Sequence, residues 1–354
     1  MNELFGILIL FAPLFLIVWL ANLAEYNRSR EMPYENMAVF SYALVVLLYV
    51  GALIVGVSLQ GLSLLQEQNP DILKQVGLTL EFDSLALMGA GIWMSAVVGL
   101  LLLTPWARRL AAKFMPIDPA SPVHAVALAL TLLVVINLAA TLGIGLGNLS
   151  ESLQAQTEAG SGSQGAATTI SLWGQQIITA LWALVGVGWA VRRSWGQSLR
   201  RLGITPLTGR RLLIGLGLGL AMVPVVVIVE YIASTLLGVG VDPDVESLTE
   251  QLIGPLFSSP FGILTLGLAA ALGEETIFRG ALQPRFGLIF TSLLFALVHS
   301  NYGITMSTLI VFVLGCVLGL VRLRYSTSTS MVVHAVYNMA LGLIAYLNLS
   351  FLDT

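Results

Sequence analysis

Charge is scarce in this chain. Only 10% of its 354 residues are Asp, Glu, Lys or Arg, and there are three histidines and one cysteine. Each shortage excludes something. With 57% hydrophobic residues and a mean hydropathy of +0.90, the composition is not that of a water-soluble domain or a disordered segment, and a bilayer is the matching solvent. Cys316 has no partner for an intramolecular disulfide or a thiolate metal cluster. There is no glycine-rich phosphate loop, no HExxH pair and no fixed-period repeat, which removes the nucleotide-binding, zinc-protease and solenoid readings that those patterns carry. The 16 Lys and Arg residues are distributed by loop rather than gathered on one stretch, so nucleic acid is not expected as a partner.

What the chain does have is apolar runs of spanning length. The first, "LFGILILFAPLFLIVWLANLA", follows Glu3 rather than a basic segment and reads as an anchor helix, not a cleaved signal. Further runs centre on 38–64, 84–104, 122–147, 169–191, 212–235, 260–283, 286–300, 305–321 and 331–350. The stretch 286–300 is short, and 260–283 is expected to break in an interfacial turn near Gly280. The fold class is therefore all-α, a polytopic transmembrane helical bundle of about 8–10 spans.

The basic residues alternate between loops. Arg28 and Arg30, then Arg108, Arg109 and Lys113, then six arginines from Arg192 to Arg211, then Arg285, then Arg322 and Arg324 fall in every second connection, while the opposite connections hold only Lys74 among acids such as Glu81, Glu158, Asp242 and Asp244. Cytoplasmic loops collect Lys and Arg, which makes the basic set cytoplasmic and both termini non-cytoplasmic. The strongest compositional break, "RRSWGQSLRRLGITPLTGRR", divides the chain into residues 1–191, a helical region of unassigned role, the basic cytoplasmic loop 192–211, and a C-terminal region 212–354.

Against this background three embedded ionisable residues stand out in "LAAALGEETIFRGALQ". A charge at mid-bilayer costs roughly 2.5–3.5 kcal/mol even on a lenient scale, so Glu274, Glu275 and Arg279 need a reason to be there. Glu275 and Arg279 are four residues apart, the spacing of an ion pair on one helix face, which leaves Glu274 without an in-helix partner. An unpaired carboxylate in such a place suits a general base. The other embedded polar groups fall in similar stripes: Phe295 with His299, and His334 with Asn338. The third histidine, His124, follows Pro122 at a span start and reads as interfacial, and Glu230 is the one other embedded acid.

Glu274-Glu275-xxx-Arg279, Phe295-xxx-His299 and His334-xxx-Asn338, in this order on successive spans, resemble the three motifs of the CPBP intramembrane proteases, the family of the Rce-type CAAX prenyl proteases and the bacterial Abi proteins. The resemblance covers about residues 200–354. It implies an intramembrane endopeptidase, in a bacterial plasma membrane, that cuts membrane-embedded or lipid-anchored proteins or peptides. By the same resemblance Glu274 and His299 activate a water, His334 and Asn338 hold the oxyanion, and Glu275 and Arg279 support the site. No cofactor follows with certainty; zinc held by Glu274, His299 and His334 is left open. So are a non-catalytic scaffold or immunity factor of the same family and a proton-coupled transporter.

The loop assignment is testable by cysteine labelling in a Cys316→Ala background. Cysteines placed beside Arg201 and Arg322 should react with an impermeant reagent only from the cytoplasmic face, and labelling of the Arg201 segment from outside would refute the assignment.

Overall fold

The computed structural model describes residues 2–75, 77, 82–159, 164–238, 240 and 242–347; Glu81 and the side chains of Lys74 and Glu158 lie outside the described set. The described residues form helices and no strand. The long elements are α1 (Asn2–Arg28), α2 (Glu35–Gln68), α3 (Leu85–Leu102), α4 (Pro122–Ile144), α5 (Gln164–Gly186), α6 (Trp195–Leu202), α7 (Gly209–Leu237), α8 (Pro243–Phe257), α9 (Pro260–Phe286), α10 (Leu288–Leu297), α11 (Met306–Arg324) and α12 (Thr327–Tyr346).

Local chemistry sets several of the starts. Ser121-Pro122, Asp242-Pro243 and Ser259-Pro260 each combine a capping side chain with a proline at the first helical position, where a missing N–H costs nothing. Ser84, Thr208 and Ser326 cap α3, α7 and α12 by accepting a backbone N–H. The basic segment, expected as a loop, contains α6, which is closed by a reciprocal Ser194–Gln197 capping box and ends at Gly203, φ 73°.

Among the described residues, eight helices are long and apolar enough to cross a bilayer: α1, α2, α3, α4, α7, α9, α11 and α12. This is an integral membrane protein. α5 falls outside that set, its Gln175–Gln176 pair interrupting an otherwise apolar helix. α10, with ten residues, is about 15 Å long and reaches only about halfway through a hydrocarbon core of about 30 Å.

Among the described residues two large apolar cores form, with smaller clusters around Leu128 and Leu202. One gathers α1, α2, α3 and α4 with the end of α5, around Ile17, Val45, Tyr49 and Val126; the other gathers α7, α9, α10, α11 and α12 around Val223, Phe278, Phe295 and Val333. α5 lies between them, packed on α1 and on α9. α9 is the innermost span, with 61% of its apolar window buried against 22% for α2.

The expected break at Gly280 does not occur. Helix α9 runs through that position as a π-helical stretch, Glu275–Leu282, and the chain turns only at Gly287, φ 80°. Gly280 is buried against Leu202 and its carbonyl accepts from Arg201 Nη1 at 3.1 Å, so the peptide group that an interfacial turn would expose is already paired.

α2 and α3 approach backbone to backbone. A Cβ added at Gly56 would lie 2.6 Å from the Trp93 nitrogen, and one at Gly89 2.6 Å from the Gln60 nitrogen, whereas Gly61 faces open space. Gly56→Val and Gly89→Val should each lower the melting temperature in detergent, by the equivalent of about 1–3 kcal/mol of overpacking, and Gly61→Ala should not. Unchanged melting of both valine variants would show that the two helices can separate freely.

Candidate active site

Three helices bring the embedded polar residues together. Glu274 lies twelve residues from the Phe286 end of α9, roughly 18 Å. His334 lies seven residues past Thr327, the first of α12, roughly 11 Å. α10 starts beside the end of α9 and is short enough that His299, just past its last turn, stops inside the membrane rather than crossing it. The half-length helix is thus the means by which a third polar group reaches Glu274.

Glu275 is fully buried and fully engaged. Arg279 Nε approaches its Oε2 at 3.4 Å, the ion pair expected from the spacing, with both side chains at most 1% exposed. Ser330 Oγ donates to Oε2 at 2.5 Å and His334 Nδ1 donates to Oε1 at 2.9 Å. The guanidinium of Arg279 also lies 4.0 Å over the ring of Phe295, and Phe295 meets His299 and His334 edge-on, with centroids 5.0 and 6.0 Å apart. Phe295 is the apolar joint around which the three charged or titratable groups are arranged.

Glu274 is placed differently. Its Oε1 accepts from Gln176 Nε2 at 3.3 Å, and its Oε2 is buried with no hydrogen-bond partner. That oxygen is 4.0 Å from His299 Nε2 and 4.0 Å from His334 Nε2. The other ring nitrogen of each histidine faces an acceptor: Nδ1 of His299 donates to the Phe295 carbonyl at 2.7 Å, and Nδ1 of His334 donates to Glu275. With Nδ1 carrying the proton, both Nε2 atoms present lone pairs to the space in front of Glu274. Tyr302 stacks on His299 with ring planes 7° apart.

The spacing decides what fits between these acceptors. A water about 2.8 Å from two atoms that are 4.0 Å apart sees them at about 90°, close to its own hydrogen-bond directions. A zinc ion at about 2.0–2.1 Å would see the same pair at roughly 155°, far from tetrahedral. As arranged, Glu274, His299 and His334 therefore do not fit zinc, and among the described residues no group of three His, Cys, Asp or Glu side chains is placed to hold a metal ion.

Glu274 and His299 line a cavity of about 410 Å³ that runs between the two halves of the molecule. His334 is buried behind them, reaching Glu274 and Glu275. Asn338, one turn further along α12, is half-buried, makes no hydrogen bond among the described residues and is not part of the cavity wall. Glu230 also lies away from the cavity, whereas His124, expected at an interface, lines its far end.

Residues 256–340 match a family model described as type II CAAX prenyl endopeptidase, Rce1-like. Over these 85 of its 354 residues the chain is similar to the CAAX-type prenyl endopeptidases. At family level the match supports a membrane protease, a class whose setting is the bilayer and whose substrate is protein. The match holds Glu274, Glu275, Arg279, Phe295, His299, Ser330, His334 and Asn338, and it excludes Gln176. No curated protein and no solved structure matches the chain.

Gln176, Ser330 and Tyr302 were not picked out from the sequence. Two signals pointed to the first two: the Gln175–Gln176 pair interrupts an apolar helix as the glutamates do, and Ser330 precedes His334 by four residues, on the same face of α12.

The two glutamates should separate on stability. Glu275→Gln leaves Arg279 uncompensated in a dry site, at a cost of roughly 3–5 kcal/mol, while Glu274→Gln removes a charge from an oxygen that has no partner. Thermal unfolding in detergent should show a large loss for the first and little for the second; equal losses would overturn the distinction.

Proposed function

We propose that the protein is an intramembrane endopeptidase in which Glu274 activates the attacking water. The observation that carries this reading is the unpartnered Glu274 Oε2, equidistant from two imidazole lone pairs at a separation suited to one water. A water in that space donates one O–H to Glu274 and the other to His299 Nε2, leaving an oxygen lone pair free for the substrate carbonyl. Its attack forms the C–O bond as the proton passes to Glu274. The proton is then delivered to the leaving amine as the C–N bond breaks.

The remaining residues take supporting parts. When a proton sits on Nε2, His334 is a cation backed by Glu275 on its other nitrogen, and it can donate to the oxyanion. Asn338 shares its helix face and has an uncommitted amide but lies off the cavity wall, so its part in holding the oxyanion rests on the motif alone. Gln176 holds Oε1 so that Oε2 faces the histidines; it is a positioning residue. Substrates are membrane-embedded or lipid-anchored proteins or peptides, residues 212–354 form the catalytic region, and residues 1–191 close the cavity from the other side. The cavity reaches the arginine-rich segment that the charge pattern assigns to the cytoplasm, consistent with access from that face.

The test is purified protein incubated with a library of membrane-derived peptides, with products read by mass spectrometry. Glu274→Gln should lower cleavage by about 10²–10⁴-fold with the fold intact, and a metal chelator should leave the wild-type rate unchanged. Full cleavage by Glu274→Gln, or its loss to chelator with recovery on added zinc, would refute the mechanism.

A further inference from the structure

The cavity has a second chemical end that peptide hydrolysis does not use. Arg192, Arg193, Arg201 and Arg285 line it, and none of them forms a salt bridge with a carboxylate among the described residues. Their hydrogen bonds go to neutral acceptors: Arg192 Nε to Asn22 Oδ1 at 2.7 Å, Arg193 to the Val187 carbonyl, Arg201 Nη1 to the Gly280 carbonyl at 3.1 Å, and none from Arg285. The nearby acids are committed elsewhere. Glu25 and Asp118 both bind Arg28 at 2.7 Å, and Glu25 also accepts from Ser121.

His124 adds a fifth donor. Its Nδ1 accepts the Asp118 N–H at 2.9 Å, which fixes its proton on Nε2. Burial, reinforced by the neighbouring arginines and offset only in part at Arg192 by Glu25, lowers both Arg192 and Arg201 to about 10, so the cluster stays charged at neutral pH while bearing a net repulsion. Four guanidinium groups with no carboxylate in contact, and with only the shared charge of Glu25 acting on Arg192 and Arg193, are an under-neutralised site for an anion.

Two features identify it. Four cations exceed what one carboxylate neutralises, whereas a phosphate brings up to two charges and three acceptor oxygens that match guanidinium forks. The walls beside the cluster, with Phe11, Val18, Val126, Leu130 and Trp182, are mainly apolar helical side chains, with Thr131 and Thr179 among them and no strand edge, so an extended peptide there would leave most of its amides unpaired, while an acyl chain has none to pair. We propose that the arginine end of the cavity binds the phosphate of an anionic membrane lipid, whose chain lies along the apolar walls of α1, α4 and α5. The inference is independent of the chemistry assigned to Glu274.

Calorimetric titration of the full-length protein in detergent tests it with four probes: dihexanoyl phosphatidic acid, dihexanoyl phosphatidylcholine, inorganic phosphate and an apolar heptapeptide with a free C-terminus. Phosphatidic acid should bind at least tenfold more tightly than the other three. Arg285→Gln should weaken it at least tenfold, and Ala127→Trp, which fills the apolar length, should weaken it without altering the response to inorganic phosphate. Equal binding of phosphatidylcholine, or of phosphate alone, would overturn the proposal. So would Arg285-dependent binding of the heptapeptide in place of the lipid, which would assign the cluster to a peptide end.

Discussion

A carboxylate with no exposure, inside a bundle whose surroundings are hydrocarbon, must be matched group by group, and Glu275 is matched by Arg279, Ser330 and His334. Much else follows from that match. It fixes α9 against α12, it sets the proton of His334 on Nδ1, and through Arg279 it places a cation on Phe295, the ring that both histidines touch. The polar groups around Glu274 are ordered because the neighbouring residue is immovable. Adjacent glutamates, similar in sequence, are thus divided by environment: one oxygen pair saturated, the other left half empty.

The π-helical stretch Glu275–Leu282 belongs to the same arrangement. A single widened turn lets α9 continue past Gly280 while Arg279 still reaches Glu275, and such turns are frequent at functional sites. It also keeps the Gly280 carbonyl available to Arg201, so that the short basic helix α6 is tied to the innermost span.

The spans, the Glu275–Arg279 pair and the isolation of Glu274 could be read in advance because each rests on a large and local cost: burying backbone in lipid, or a charge away from water. The π turn could not, since nothing in "EETIFRGAL" distinguishes it from an α-helix, and the expected break moved from Gly280 to Gly287. Nor could the depth of His299, which depends on α10 being only ten residues long in three dimensions. Ser330 and Gln176 join the site through contacts 55 and 98 residues distant along the chain, and helical spacing carries no information about such separations.

Gly273 has a consequence that reaches beyond packing. A Cβ at that position would collide with the side chain and backbone of Gln176, so the bare backbone there is a socket cut to receive a residue from α5. The segment that carries the family resemblance therefore has an open face at Gly273, completed by α5, which lies outside the matched residues. A fragment trimmed to residues 256–340 would keep the glutamates and histidines and lose the wall that aims them; the unit of recognition by sequence is smaller than the unit that works.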